Sequence, residues 1–228
     1  MKKYNTKMNR VTDPCLMIGS TGSGKTCRLI EIIKDYRRKY KKGGISIVTD
    51  CPEEWKYIDS RIQIGDLKEF KKASGKSLSG QLLIIDLGRI EGSLLMDKLI
   101  SLVCNNKTLG INLFITFKSF EGIHPSLIQN TGSIELFHVD FFDINWAERL
   151  FNNSDLIVLA TLCQYFENKF SEIRSIKVDL EKNKIHCLES NFFYAANRLA
   201  KSRTSHDVSG LSYLAQELNS LAKYHYRY

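Results

Sequence analysis

The sequence predicts an α/β fold: a mostly parallel sheet covered by helices on both faces, followed by a C-terminal β-hairpin and helices. Three observations carry that expectation. Apolar runs of strand length recur through the first 140 residues, segments with helical spacing separate them, and two of the runs, "ISIVTD" and "LLIID", end in aspartate. Strands buried on both faces read as near-continuous apolar runs, and strands alternating with helices at this spacing argue for βαβ units.

The elements follow in order. Residues 1–13, "MKKYNTKMNRVTD", carry four basic side chains and no apolar period, and they read as a flexible basic arm. "PCLMIG" is a short buried strand. From Gly24 to Tyr40 the apolar positions Leu29, Ile30, Ile33, Tyr36 and Tyr40 recur at three- and four-residue steps, which predicts a helix, with Gly43 as its stop after a cationic last turn. "ISIVTD" (45–50) and "RIQIGD" (61–66) read as strands, residues 67–73 as a basic helix, and "SGKSLSGQ" as a loop. "LLIID" (82–86) is the most apolar strand. Leu94, Leu95, Leu99, Leu102 and Val103 set a helix over 92–106 that stops at Gly110. "INLFIT" (111–116) and "SIELFHV" (133–139) are further strands, and 144–151 and 154–162 have helical character. Residues 172–189 read as two strands joined near Lys182 and Asn183, and the last forty residues as helical. No linker interrupts 14–228, so one domain is expected there, with its core over 14–165 and the hairpin and helices over 166–228.

Composition narrows the chemistry. Lys and Arg outnumber Asp and Glu by 33 to 25, a net charge of +8 that favours an anionic partner, nucleic acid being the commonest. The cysteines (Cys15, Cys27, Cys51, Cys104, Cys163, Cys187) form no CxxC pair and show no ligand-like spacing to histidine, so reduced, partly buried thiols are expected and a structural metal site is not. No stretch is long and apolar enough to span a bilayer, and the expected location is the cytoplasm.

The stretch "GSTGSGKT" comprises Gly19, Ser20, Thr21, Gly22, Ser23, Gly24, Lys25 and Thr26, with Cys27 next. It matches the Walker A pattern G-x-x-x-x-G-K-[ST], with a strand before it and a helix after it. Glycines let consecutive N–H groups point into one concavity that cradles phosphate oxygens, and the helix N-terminus adds partial positive charge. Average residue frequencies produce this pattern in roughly one in a hundred chains of this length, and the flanking elements make chance rarer still. The motif therefore predicts ATP and Mg²⁺ as cofactors. Lys25 is assigned to the β- and γ-phosphates and Thr26 to the metal.

Asp86, closing "LLIID", is the candidate second metal-holding residue and catalytic acid group, although an ordinary strand-ending aspartate has the same local pattern. The residue after it is Leu87, which cannot polarise water. Asp50 at the end of the neighbouring strand is the preferred replacement base, since ligands bind at strand C-terminal ends in open α/β sheets. Glu53, Glu54 and Glu91 are weaker candidates that read better as solvated surface.

Residues 105–139, "NNKTLGINLFITFKSFEGIHPSLIQNTGSIELFHV", together with "VTDCPEEW" (48–55) and "HVDFFDINWAERLF" (138–151), resemble the FtsK–HerA superfamily of DNA-pumping P-loop ATPases over about residues 14–165. Short members of that superfamily look like viral genome-packaging ATPases. The resemblance implies a RecA/FtsK-like P-loop fold, ATP hydrolysis coupled to double-stranded DNA translocation, and a homo-oligomeric ring, most simply a hexamer. It also implies capsid or portal proteins as partners, and the host cytoplasm or the virion as location. The family's sensor glutamine falls at Phe117 and its arginine at Lys118, so Thr116 or Lys118 is expected to report the γ-phosphate. Arg89 and Arg149 are the candidate arginine fingers. Lys71, Lys72 and Lys76, with "YRRKYKK", are candidate channel cations, each weighed against an ordinary solvated helix face. The alternatives are a nucleoside or nucleotide kinase, for which no arginine-rich lid is evident, and a non-hydrolysing nucleotide-binding assembly factor, which Leu87 and Phe117 favour.

Overall fold

The computed structural model describes residues 13–73, 75–88, 90, 92–139, 175–182 and 184–186, with isolated positions between 143 and 164. The chain divides into two compact units.

The first unit contains residues up to Leu16, Lys25–Phe117 and Ser126–Gly132. It holds the start of β1 (Cys15–Ile18), α1 (Lys25–Lys39), β2 (Gly44–Thr49), a 3-10 turn (Pro52–Glu54), β3 (Gln63–Gly65), α2 (Leu67–Lys72), a second 3-10 turn (Gly75–Leu78), β4 (Gln81–Asp86), α3 (Ser93–Leu109), β5 (Asn112–Phe117) and most of α4 (Pro125–Gln129). Its strands lie in the order β3-β2-β4-β5-β1. β2 pairs parallel with β3 and β4, and β4 pairs parallel with β5. Leu82, Leu83, Ile84 and Ile85 are all buried, as the unbroken apolar run predicts for a central parallel strand. Each such side chain contributes about 1.5–3 kcal/mol of burial.

Local chemistry explains the helix ends. Asp66 caps α2, its carboxylate accepting from the Glu69 N–H at 2.7 Å. At the other end, Lys98 from α3 donates to the carbonyls of Phe70 and Ala73, and its ammonium lies 4.7 Å from the Phe70 ring centroid. Burial draws the Lys98 pKa down. α3 stops at Gly110 in a left-handed cap, as predicted.

Two readings are corrected here. α1 ends at Lys39, before Gly43, and Gly43 has no left-handed backbone to supply a stop. A Cβ at position 43 would lie 2.7 Å from the Tyr36 ring, so the glycine makes room for the ring. Leu94, placed on the apolar face of α3, is 78% exposed. The buried stripe is Leu95, Leu99, Leu102, Val103 and Asn106, and Leu94 lies off it, in line with Lys98 and Ser101 through i, i+4, i+7 spacing.

The second unit contains Met17–Gly24, Lys118–Pro125 and residues from Ser133 onward. Its strands are the end of β1, then β6 (Ser133–Leu136), β7 (Ile176–Asp179) and β8 (Lys184–His186), in that order. β6 pairs antiparallel with β7, and β7 with β8, which is the hairpin expected near 172–189. The predicted strand at 133–139 is shorter than expected, closing at Leu136. The described positions among 143–164 are helical, and the remaining residues of the helices expected at 144–151 and 154–162, like the last forty residues, lie outside the described ones.

Among the described residues Cys15, Cys27, Cys51 and Cys104 are free thiols; only Cys15 is buried, so the expected partial burial holds for one of the four. Among them, too, no helix is long and apolar enough to cross a membrane.

Candidate functional site

The loop at residues 19–24 belongs to the second unit and is shaped by its backbone. Gly22 and Gly24 have φ of 77° and 98°, which L side chains rarely adopt. Gly19 is needed for a different reason: a Cβ there would come within 2.7 Å of the Phe137 Cβ. The Ser20 N–H donates to the His138 carbonyl at 2.9 Å and the Ser23 N–H to the Ser20 carbonyl at 3.3 Å, so these two amides hold the loop's shape. The Ser23 hydroxyl is buried without a hydrogen-bond partner. A buried orphan hydroxyl is costly, and a polar ligand in the loop would satisfy it. Thr21, Gly22 and Cys27 are exposed.

The first unit gathers the charged groups. The register Thr49↔Asp86 brings the C-terminal ends of β2 and β4 level, so that Asp50 and Asp86 close adjacent strands. Asp50 is exposed, and its Oδ2 accepts from the Gly88 N–H at 2.7 Å. Asp86 is half-buried, and its Oδ1 accepts from the Thr116 hydroxyl at 2.8 Å. Thr116 is buried, so it positions Asp86 from beneath. Burial is the main cause that pushes the Asp86 carboxyl above the usual carboxylate range, with the Asp50 charge adding to it. The Thr116 hydrogen bond, the Lys25 charge and the Trp55 indole act in the opposite direction. Lys25 and Asp86, sixty-one residues apart in sequence, therefore share one electrostatic environment.

Asp50 and Asp86, level at the ends of adjacent strands, offer carboxylate oxygens, hard ligands of the kind Mg²⁺ takes. Among the described residues no group of three or more His, Cys, Asp or Glu could hold a metal by itself. These residues thus fit a Mg²⁺ whose remaining ligands come from phosphate and water, as such sites usually have. They do not fit a free-standing metal centre.

The other sequence candidates fall into three groups. Leu87 and Phe117 are buried at 5% and 6% exposure, so neither side chain faces solvent. Glu53 pairs with Lys56, which fits the surface reading, and Glu54 is exposed. Arg89, Glu91 and Arg149 lie outside the described residues, as do the side chains of Lys71 and Lys76, while Lys72 is exposed. In "YRRKYKK", Arg37 is committed internally, to Asp59 at 3.0 Å and the Gly43 carbonyl at 2.6 Å, whereas Lys41 and Lys42 are exposed. Lys118 is exposed in the second unit.

Sequence reasoning missed two contributors, the Gly88 N–H and Trp55. Only the aromatic closing "DCPEEW" hinted at the latter. The loop "IHPSLIQNTG" docks by backbone: Gly132 N–H donates to the Pro14 carbonyl at 3.1 Å, and Leu127 and Ile128 are buried.

No family model and no curated protein matches the sequence. Solved structures do match in fold. The genome-packaging NTPase B204 from Sulfolobus turreted icosahedral virus 2, in complex with AMP, aligns at TM-score 0.56 and 13% identity, over 78% of this chain and 97% of that one. B204, the DNA-packaging ATPase from Sulfolobus turreted icosahedral virus, aligns at TM-score 0.52 and 13% identity, over 78% and 97%. EssC (ATPases 2 and 3) from Geobacillus thermodenitrificans aligns at TM-score 0.51 and 14% identity, over 94% of this chain but 44% of that one. The chain has the P-loop ATPase fold.

Proposed function

We propose that this chain is an ATP-driven motor that moves double-stranded DNA, most specifically a viral genome-packaging ATPase. The observation that carries the reading is the convergence of Lys25, Thr116 and Asp50 on Asp86. Its setting is a fold shared with packaging ATPases.

The loop 19–24 and the first turn of α1 bind the triphosphate, and Lys25 neutralises charge on the β- and γ-phosphates. Thr26 and Asp86 would hold Mg²⁺, which supplies Lewis-acid stabilisation of the charge that develops on the phosphoryl oxygens. Thr116 orients Asp86. Asp50, held by Gly88, takes a proton from the attacking water as its oxygen bonds the γ-phosphorus. The bond to the β–γ bridging oxygen breaks, and ADP leaves with that electron pair. Asp50 fills this role because Leu87, where many such enzymes carry glutamate, is buried. Exposed lysines such as Lys41, Lys42 and Lys72 would grip phosphates without reading sequence. A homo-oligomeric ring, most simply a hexamer, docked on a capsid or portal protein in the host cytoplasm or virion completes the proposal.

A second reading, a nucleotide-binding assembly factor that does not hydrolyse, is favoured by the burial of both Leu87 and Phe117. One experiment separates the readings: ATP turnover with and without double-stranded DNA, repeated with Lys25→Ala. DNA-stimulated turnover that drops by about 100-fold or more in the variant supports the motor. Nucleotide binding without turnover supports the assembly factor, and turnover that requires a nucleoside acceptor supports a kinase.

A further inference from the structure

α1 closes on Arg37, Arg38 and Lys39, and Lys41 and Lys42 follow before β2 begins. The helix dipole favours cations at a C-terminus, which accounts for the three inside α1 but not for the rest. Arg61 joins them from another loop. Asp59 holds it doubly, accepting from Arg61 Nε at 3.0 Å and Nη2 at 2.8 Å, and the same carboxylate accepts from Arg37 Nε at 3.0 Å. Arg37 also donates to the Gly43 carbonyl at 2.6 Å, which ties the turn carrying Lys41 and Lys42 to the loop carrying Arg61.

One carboxylate balances only one of its two arginines. Segments 35–42 and 59–61 hold six cations against Asp35 and Asp59, half of the chain's net charge of +8. Lys39, Lys41 and Lys42 are exposed, and the Arg61 side chain is 63% exposed although Asp59 fixes it. A guanidinium held in this way loses little freedom when it meets a phosphate. β2 and β3 run parallel and both begin here, so the cations line the sheet edge opposite to Asp50 and Asp86. The six residues of β2 set the two edges about 20 Å apart. α1 links them, with Lys25 at its start and Lys39 at its end. Neither exposed large apolar side chain among the described residues, Tyr57 or Leu94, belongs to these segments. The surface thus offers charge without the apolar groups that enter a lipid surface.

We propose that duplex DNA lies across the sheet edge where β2 and β3 begin, its phosphates held by Lys39, Lys41, Lys42 and Arg61. This placement rests on the DNA-moving function proposed above and adds where on the chain the duplex runs. Contacts of this kind fix position and read no sequence.

Duplex binding is measured by fluorescence anisotropy over a salt series, without nucleotide. Lys41→Gln/Lys42→Gln/Arg61→Gln should weaken binding by about 10- to 100-fold at about 0.1 M salt, and lower the slope of log affinity against log salt by about 3. Lys41→Gln/Lys42→Gln keeps the Asp59 cluster whole and should lower the slope by about 2, so it decides should the triple variant not fold. Lys177→Gln/Lys182→Gln removes two cations from β7 and its turn and should leave the slope unaltered.

An unaltered slope in the double patch variant, while the wild-type chain binds duplex, overturns this placement and leaves the motor reading standing. So does an equal loss in Lys177→Gln/Lys182→Gln, which marks a general effect of charge. Vesicles of phosphatidylserine and phosphatidylcholine that bind the wild-type chain but not the patch variants, with duplex binding unchanged, assign the surface to lipid and overturn it too. A wild-type chain that binds no duplex at any salt overturns the motor reading and this placement together.

Discussion

β4 and β7 both end in aspartate, and the two aspartates have different surroundings. Asp86 is half-buried, bonded by a buried threonine, and shares its surroundings with Lys25 and Asp50. Asp179 closes a turn: Oδ1 accepts from the Lys182 N–H at 2.9 Å, and Oδ2 pairs with the Lys182 ammonium at 2.9 Å. Their strands differ in the same sense. β4 is buried on both faces, whereas β7 alternates, with Ile176 and Val178 inside and Lys177 outside. A parallel strand end brings a carboxylate among residues from other strands, and an antiparallel strand end leads into its own hairpin. The residue type is thus equal at both places, and the pairing of the strand decides its role.

The contrast can be broken at several points. The largest effect is expected at the neighbouring strand end. Asp50→Asn should lower kcat for ATP hydrolysis by about 10²- to 10⁴-fold while leaving nucleotide binding near wild type, read by steady-state kinetics beside an AMPPCP binding assay. Equal turnover in the variant would remove Asp50 as the base.

Next comes Asp86→Asn, expected to cost about 10²- to 10³-fold in turnover, against Asp179→Asn, which should leave turnover unaltered. Because Lys182 is largely exposed, losing the Asp179 charge should change stability by less than about 1 kcal/mol. If both substitutions impair turnover alike, the distinction between the two strand ends fails.

The smallest effects test the strands themselves by chemical denaturation. Ile84→Ala in β4 should destabilise the fold by about 2–5 kcal/mol. Lys177→Ala on the outward side of β7 should stay within about 0.5 kcal/mol of wild type.

Much of the first unit was legible in sequence. Strands such as "LLIID" and "INLFIT" are continuous apolar runs, and the order of elements around them needs no knowledge of long-range contacts. The motif at 19–26 was legible as a pattern for a stronger reason, since its glycines, lysine and threonine are contiguous. What stayed hidden depends on contacts between distant residues. Gly43 answers to the Tyr36 ring, Arg37 is drawn out of a cationic cluster by Asp59, and Leu94 falls off the buried stripe by a single helical step.

The sequence by itself therefore determined the α/β class, the position of the glycine-rich loop and the acids that close the strands, because each is encoded in short-range pattern. Only the tertiary structure decided which acid is engaged and by what. Thr116 reaches Asp86 across thirty residues of chain, and Gly88 reaches Asp50 across thirty-eight. Strand register sets those meetings, and register is a property of the paired sheet that no single strand carries alone.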